Sequence, residues 1–424
     1  MAINYDLRPL TQVCEVLSGG TPKTTVPEFW NGDIPWASVK DFNTNSRWFR
    51  KTEKSISKLG LESCSSVLLE PGDLVLSARG TVGVVSQCAM RTSFNQSNYG
   101  LRAKSDLTSN DYLYYALSYA RRALLSDTHG GMFDTITRDT LDRLLIPVPD
   151  HKVQQQIVEI LGSIDRKIEI NKSISKTLEE IAQTIFQSWF VDFDPVKAKI
   201  AGEKPAGMDD ATTALFPDSV VESELGLIPK GWEVRSLDEI SEYLNGLAMQ
   251  KFPVIDENEQ LPVIKIAQLR AGNTKGADMA SGLLDPKFII KDGDILFSWS
   301  GTLEVETWTG GSGALNQHLF KVTGKNVPDW YSYLSTKSFL SSFREIASGK
   351  ATTMGHIQRG HLSESKLAIP NSELLNRATE IIEPIISLKI KASIEGRNLA
   401  EIRDSLLPRL ISGELQIPKE MLAS

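Results

Sequence analysis

The sequence predicts an α+β fold: two similar mixed α/β domains, separated by two long helices paired as an antiparallel coiled coil with pseudo-twofold symmetry. Three observations lead there. First, the chain repeats itself. Gly72-Asp73-Leu74-Val75-Leu76-Ser77-Ala78-Arg79-Gly80-Thr81 returns as Gly293-Asp294-Ile295-Leu296-Phe297-Ser298-Trp299-Ser300-Gly301-Thr302. Asn95-Gln96 returns as Asn316-Gln317, and Leu178-x-Glu180-Ile181 as Leu399-x-Glu401-Ile402, each 221 positions on (293 minus 72, for instance). A repeat of half the chain means two like domains rather than a solenoid, whose periods run roughly 20–50 residues. Second, each copy begins with a strand-rich stretch, residues 8–149 and 230–369, in which β-branched runs follow glycine turns. Third, each copy closes with a helical heptad pattern.

That pattern is the clearest periodicity in the chain. In the second copy Ile381, Ile385, Leu388, Ala392, Leu399, Ile402 and Leu406 follow steps of four and three, with Glu395 filling the one gap. In the first copy the same places hold Ile160, Ile164, Lys167, Asn171, Ile174, Leu178, Ile181 and Ile185. Such seams pack each helix on its own domain or pair the two helices, and their equivalent placement favours pairing. Asp150, after Pro147 and Pro149, and Asn371 and Ser372, after Pro370, are suited to cap the helix starts. A helix of about 35 residues is about 50 Å long. Two of them antiparallel would hold two readers at a fixed separation, matching a DNA target in two half-sites. Residues 196–229 are polar and turn-rich, with Lys197-Ala198-Lys199 and Asp209-Asp210, and read as a connector.

Composition narrows the class. A chain of 424 residues with 41% hydrophobic and 23% charged residues fits a soluble protein of more than one domain. No apolar run reaches the roughly 18 residues of a membrane span, and Met1–Asp6 lacks the basic-then-apolar pattern of a signal peptide. Cys14, Cys64 and Cys88 all fall in the first copy; they fit a reducing cytosol and exclude a zinc ribbon. A net charge of −7 argues against a nonspecific nucleic-acid binder, yet allows a reader whose basic residues share one face.

Catalytic motifs are missing. There is no Asn-Pro-Pro-aromatic tetrapeptide, no Walker A loop and no His-Glu-x-x-His. Gly310-Gly311-Ser312-Gly313 lacks a strand–loop–helix setting. Pro217-Asp218 with Glu222-Ser223-Glu224 lacks a nuclease lysine and falls in the connector. The expectation is a chain that is not an enzyme, with no cofactor and no metal.

Residues suited to base edges and phosphates remain. Thr21, Lys23 and Thr24 lie in the turn Gly20–Thr24. Arg47, Arg50, Lys51 and Lys54 lie in a basic–aromatic segment that reads as DNA contact or solvated loop. Arg79 and Thr81, with Thr302 in the second copy, end equivalent strands, where a rigid scaffold presents binding loops. Gln96, Gln317 and His318 suit adenine, or the repeated Asn-Gln is a structural pair. Lys350, Thr352, Thr353, His356 and Arg359, with Arg138 in the first copy, lie in polar segments upstream of the long helices. Lys40, Lys265, Gln268 and Arg270 complete the candidates.

Ser18-Gly19-Gly20-Thr21-Pro22 with Phe29–Trp36, Ser188-Trp189-Phe190-Val191-Asp192-Phe193-Asp194-Pro195, Glu224–Val234 and Leu406–Leu415 together make the chain resemble a specificity subunit of a type I restriction–modification enzyme. The resemblance runs over nearly the whole chain in the family's order. It implies a target-recognition domain at 1–149, a central long helix at 150–195, the connector at 196–229, a second target-recognition domain at 230–370, a C-terminal long helix at 371–415 and a tail at 416–424. It implies double-stranded DNA as a partner, bound at two half-sites flanking a nonspecific spacer. Two methyltransferase subunits, and restriction–translocase subunits reached through them, are the implied protein partners. Catalysis, by S-adenosylmethionine-dependent adenine methylation and ATP-driven cleavage, would sit in those other chains. A cytoplasmic location without a membrane follows. The alternatives are a stand-alone or degenerate DNA methyltransferase or nuclease, and an adaptor binding only proteins. The second copy departs from the family's opening with Leu244-Asn245-Gly246-Leu247, so individual base contacts do not carry over.

Overall fold

The computed structural model describes residues 5–43, 46–129, 135–349 and 355–417, with the side chains of 122–129 excepted. The chain divides into two compact units. The first is Met1–Glu169 with Leu399–Ser424; the second is Ile170–Asn398.

The first unit is built on a five-stranded sheet in the order Cys14–Ser18, Asn98–Ala103, Leu74–Ser77, Val85–Cys88, Trp48–Phe49. Leu74–Ser77 lies in the middle and is buried along its whole length, so it reads as a continuous apolar run rather than an alternating one. Tyr112, Leu113, Ala116 and Leu117 of the helix Asn110–His129 fill the core beside Leu74 and Leu76. A smaller sheet joins Lys54–Ile56, Trp30–Ala37 and Ser93–Phe94. Asp6–Pro9 pairs antiparallel with Leu145–Val148, closing the domain where it began. Leu410 and Ile411, from the far end of the chain, are buried in this same core.

The second unit repeats the plan. Its main sheet runs Ser241–Asn245, Leu319–Gly324, Ile295–Ser298, Glu304–Thr307. A second sheet runs Met279–Ser281, Gln260–Ile264, Gly313–Leu315, Ile289–Ile290, and Glu233–Ser236 pairs with Lys366–Ile369. The offset, however, is not one number. Leu145–Val148 maps on Lys366–Ile369 at 221, but Asp6–Pro9 maps on Glu233–Ser236 and Cys14–Ser18 on Ser241–Asn245 at 227 (233 minus 6, 241 minus 14). The parallel pairs Ala37↔Phe94 and Ile264↔Leu315 are equivalent. The second copy therefore loses six residues (227 minus 221) between Ile264 and Gly293, where no motif marks the loss.

Residues 196–229 correct an expectation. They hold the helices Asp194–Ile200 and Asp210–Leu215 and the hairpin Val220–Ser223/Gly226–Pro229. Val196, Met208, Phe216 and Ile228 are buried in the core of the second unit, and Arg377 donates to Asp209 and Thr212 at 3.0 and 2.8 Å. The stretch is polar in composition but anchored by a few spaced apolar side chains, a pattern without period. It is part of the domain rather than a free link.

The two long helices are His151–Phe186 and Ser372–Ile411. In the first unit Arg403 donates to Asp165 at 2.9 Å. In the second, Asn171 donates to Glu395 at 3.0 Å, Ser175 meets Ser393 at 2.9 Å, and Glu179 pairs with Lys389. Partner numbers fall as the first helix advances, so the helices pair antiparallel. The buried line differs from the expected seam. Ile174, Ile181, Leu388 and Ile402 are exposed. Along the seam the buried positions include Leu161, Asp165, Ala182, Phe186, Ile382, Ile386 and Lys389, each one residue later than expected, while Asn171 and Ala392 stand as expected. Leu161, Leu410 and Ile411 belong to the first core and Ala182, Phe186, Ile382 and Ile386 to the second, and Asp165 and Lys389 can be buried because ion pairs satisfy them. An apolar-only pattern passes over such positions.

Candidate nucleic-acid interface

Both main sheets end at a loop rim of the same construction. In the first unit the strand Leu74–Ser77 leads into the turn 78–81. Ser77 is buried; its hydroxyl donates to the Thr81 carbonyl and accepts from the Val84 N–H at 2.8 Å. In the second unit Ser298 does the same, donating to the Thr302 carbonyl at 2.7 Å and accepting from the Glu304 N–H at 2.8 Å. Gly80 and Gly301 turn the tips at φ 75° and 64°. Nothing lies within 4 Å of a Cβ placed on Gly80, so the backbone conformation and not space requires glycine there.

The second strand-end loop packs against the turn. Ala78 N–H donates to the Ser97 carbonyl at 2.9 Å, and Ile136 N–H to the Ala78 carbonyl at 2.9 Å. Arg79 forms an isolated antiparallel bridge with Thr135, and Ser300 forms the equivalent bridge with His356. Asn95 and Asn316 are structural. Asn95 Oδ1 accepts from the Ser97 N–H at 3.2 Å, and Asn316 Oδ1 from the His318 N–H at 3.3 Å. Gly19 and Gly246 pass so close that a Cβ would lie 2.1 and 2.2 Å from the Asn95 and Asn316 carbonyl oxygens. The repeated Asn-Gln therefore splits its duties: the asparagine shapes the loop and the glutamine is carried on it.

Several sequence-predicted residues meet at this rim. In the first unit Thr21 bonds Gln96, Arg138 donates to the Ser18 hydroxyl at 3.3 Å, and Arg79 and Thr81 stand exposed on the turn. Lys23 and Thr24 are exposed on the neighbouring loop; the Trp30 indole donates to the Lys23 carbonyl at 3.2 Å and carries Lys54 over its ring at 5.7 Å. In the second unit Ser300 and His318 Nδ1 are 3.1 Å apart, Gln317 touches His318, Thr302 is exposed, and Arg359 donates to the Tyr243 carbonyl at 3.3 Å. His356 borders Trp299. Trp299, whose indole donates to Asn245 at 3.1 Å and whose ring lies 5.8 Å from that of His318, was not among the expected residues. Its counterpart is Ala78, so only the offset could have pointed to it.

Other candidates lie elsewhere. Arg47 is a correction. It is 8% exposed, pairs with Asp111 and Gln87, donates to the Tyr115 hydroxyl at 3.0 Å, and lies 5.0–5.2 Å from the rings of Trp48, Tyr114 and Tyr115. Tyr115 donates in turn to Asp165 at 2.6 Å, which accepts from Arg403. Arg47 thus ties the sheet to the helices. Arg50 is exposed and lies 3.6 Å from Glu169, and Lys51 is exposed beside it. Gln268 is buried; its side chain accepts from the Lys265 N–H at 3.3 Å, capping the helix Ile266–Ala271 as Asp41 caps Val39–Phe42. Lys265 pairs with Asp278; Arg270 and Lys40 are exposed on those two short helices. Lys350, Thr352 and Thr353 lie outside the described residues.

Arg47→Ala should therefore cost the first unit about 2–3 kcal/mol, the scale of losing a buried side chain's packing and leaving Gln87 and Tyr115 without its hydrogen bonds, whereas Lys51→Ala and Lys54→Ala should stay within about 0.5 kcal/mol. Urea denaturation of the three variants separates them; equal small losses would return Arg47 to the surface set.

Among the described residues no cluster of His, Cys, Asp or Glu is arranged to hold a metal, and no helix is long and apolar enough to cross a membrane. What the fold presents is two rigid sheets, each with an exposed rim of hydroxyl, amide and cationic groups.

This is the architecture of a sequence-reading protein, and the comparisons agree. The family model for the type I restriction modification DNA specificity domain matches residues 3–180 and again 229–402. The chain belongs to that family, a specificity chain rather than an enzyme. It is 27% identical over 433 residues to the type I restriction enzyme MjaIX specificity subunit of Methanocaldococcus jannaschii, covering 98% of this chain and 94% of that protein. It is 28% identical over 342 residues to the HindI specificity subunit of Haemophilus influenzae, covering 69% and 73%. The crystal structure of the type I S subunit from M. genitalium matches in fold, at TM-score 0.50 and 14% identity over 98% of this chain and 97% of that one.

Proposed function

We propose that this chain reads a bipartite DNA target, one half with each unit, across a spacer that it does not read. In this reading it also scaffolds two methyltransferase subunits, and through them the restriction–translocase subunits. The observation that carries the reading is the duplicated rim: Thr81, Gln96 and Arg138 in the first unit, Thr302, Gln317 and Arg359 in the second, on turns, loops and short helix starts of the same design. Two such rims in one chain suit two half-sites better than one continuous site, because each rim is carried by a rigid sheet of its own. Phosphate contacts would supply affinity and register, and base contacts the sequence.

Mapping methylated adenines in cells with and without this chain, with the methyltransferase subunits present throughout, tests the reading. The expected result is a split motif whose methylation disappears with the chain. Methylation unchanged by its loss would overturn the proposal. Methylation or cleavage by the chain alone would point to an enzyme.

A further inference from the structure

The two rims are alike at some positions and different at others, and DNA has the same division. The backbone is common to every half-site, whereas the base edges differ. Among equivalent positions, Thr81/Thr302 and Arg138/Arg359 are identical, while Arg79/Ser300, Ser97/His318 and Thr135/His356 differ. We propose that the identical pair Arg138/Arg359, with Thr81/Thr302, holds the phosphates, and that Arg79 with Ser97, and Ser300 with His318 and His356, set the sequence read by each unit. This rests on the DNA-reading function proposed above.

The local structure supports the division. Arg138 and Arg359 are the first residues of equivalent short helices, Arg138–Arg143 and Arg359–Glu364. Each guanidinium reaches the outer strand of its own sheet, at the Ser18 hydroxyl or the Tyr243 carbonyl, both 3.3 Å away. Arg359 also lies over the Phe320 ring at 5.7 Å, a contact that uses the face of the guanidinium, so in both arginines most of the five N–H donors remain for a ligand. Both arginines stand exposed at the same place in the two units, beside positions that differ, which suits a ligand common to both. The differing positions are also exposed or half-exposed on the rim, except Ser300, which is buried and bonded to His318. In the second unit the Ser300–His318 contact and the Trp299 ring fix the imidazole, as a side chain that discriminates between bases requires. In the first unit Arg79 is the natural counterpart, a fork able to take guanine in the major groove. Gln96 and Gln317 stay outside the assignment, since an amide takes adenine as readily as it donates to phosphate.

The test uses the full chain assembled with its methyltransferase subunits. The readouts are the methylated motif and the salt dependence of binding to specific and unrelated duplexes. Arg138→Ala and Arg359→Ala should weaken both kinds of binding alike, lower the salt slope by about 1 each, and leave the motif unchanged. Arg138→Lys should keep the slope. Arg79→Ser should relax the motif at one position of one half-site, roughly tenfold or more, with little effect on unrelated DNA. His318→Ser should do so in the other half. A changed motif with Arg138→Ala, or an unchanged one with both Arg79→Ser and His318→Ser, overturns the assignment. If the wild-type assembly itself showed no preference among duplexes, the DNA-reading function would fall and the assignment with it.

Discussion

Exchanging residues 8–149 for the matching region of another specificity chain should replace one half of the methylated motif and leave the other half unaltered. The expectation follows from the way each sheet carries its own rim, with its own core around Leu74 and Leu76 or around Phe297 and Val322. The exchange has one structural condition. Leu410 and Ile411 are buried in the first core together with Leu10, Leu141 and Ile146. A donor sequence must accept those two side chains, or the chimera loses apolar burial worth about 2 kcal/mol for each of them. Adenine-methylation mapping of the chimera decides the matter. A change in both halves, or in neither, would show that the units do not read independently.

The second large effect concerns the charges buried beside the long helices in the second unit. Glu179 pairs with Lys389 and Lys337, and its carboxylate also takes the Tyr333 hydroxyl; Lys337 reaches Glu306 at 3.0 Å. Burial alone would raise the Glu179 carboxyl, but the Lys389 and Lys337 ammoniums outweigh it and hold the group down to about 2, against an ordinary 4.5. A folded-state value below the unfolded one means stability that is complete above about pH 4.5 and lost as the pH falls towards 2. Glu179→Ala should cost about 3 kcal/mol at neutral pH, because it removes the more buried carboxylate from two buried ammoniums and leaves them to share Glu306. The same variant should flatten the acid limb of the stability curve in that window. A wild-type-like acid limb in Glu179→Ala would show that the carboxylate is not what the acid titrates.

The first unit uses a different set of groups for the same purpose. There Asp165, Tyr115, Arg403 and Arg47 join the helices to the sheet. At the positions equivalent to Asp165 and Arg403 the chain has Ile386 and Ala182. The repeat preserved the frame and replaced the fastenings, so no motif search on the duplicated segments finds them.

What the sequence determined by itself was the part written in periods and repeats. The duplicated Gly-Asp strand, the duplicated Asn-Gln and the two heptad stretches name two like domains and two long helices, because backbone geometry forces these patterns wherever the elements occur. Arg79, Gln96, Thr302 and Gln317 stand out in the sequence as polar residues beside repeated segments, and Arg138 and Arg359 as members of polar segments ahead of the long helices; the fold brings them to the two rims. Tertiary structure decided the rest. The basic–aromatic run 46–54 divides, with Arg47 in the core and Lys54 on Trp30, because a cation surrounded by Asp111, Tyr115 and Gln87 is stable without water and those partners come from distant stretches of the chain. Gln268 became a helix cap, the polar stretch 196–229 became part of a domain, and the buried line of the long helices moved onto Asp165 and Lys389. Gln268 apart, whose partner Lys265 is three residues away, the deciding partner is remote in sequence, and local pattern carries no information about a charge or amide satisfied from across the fold.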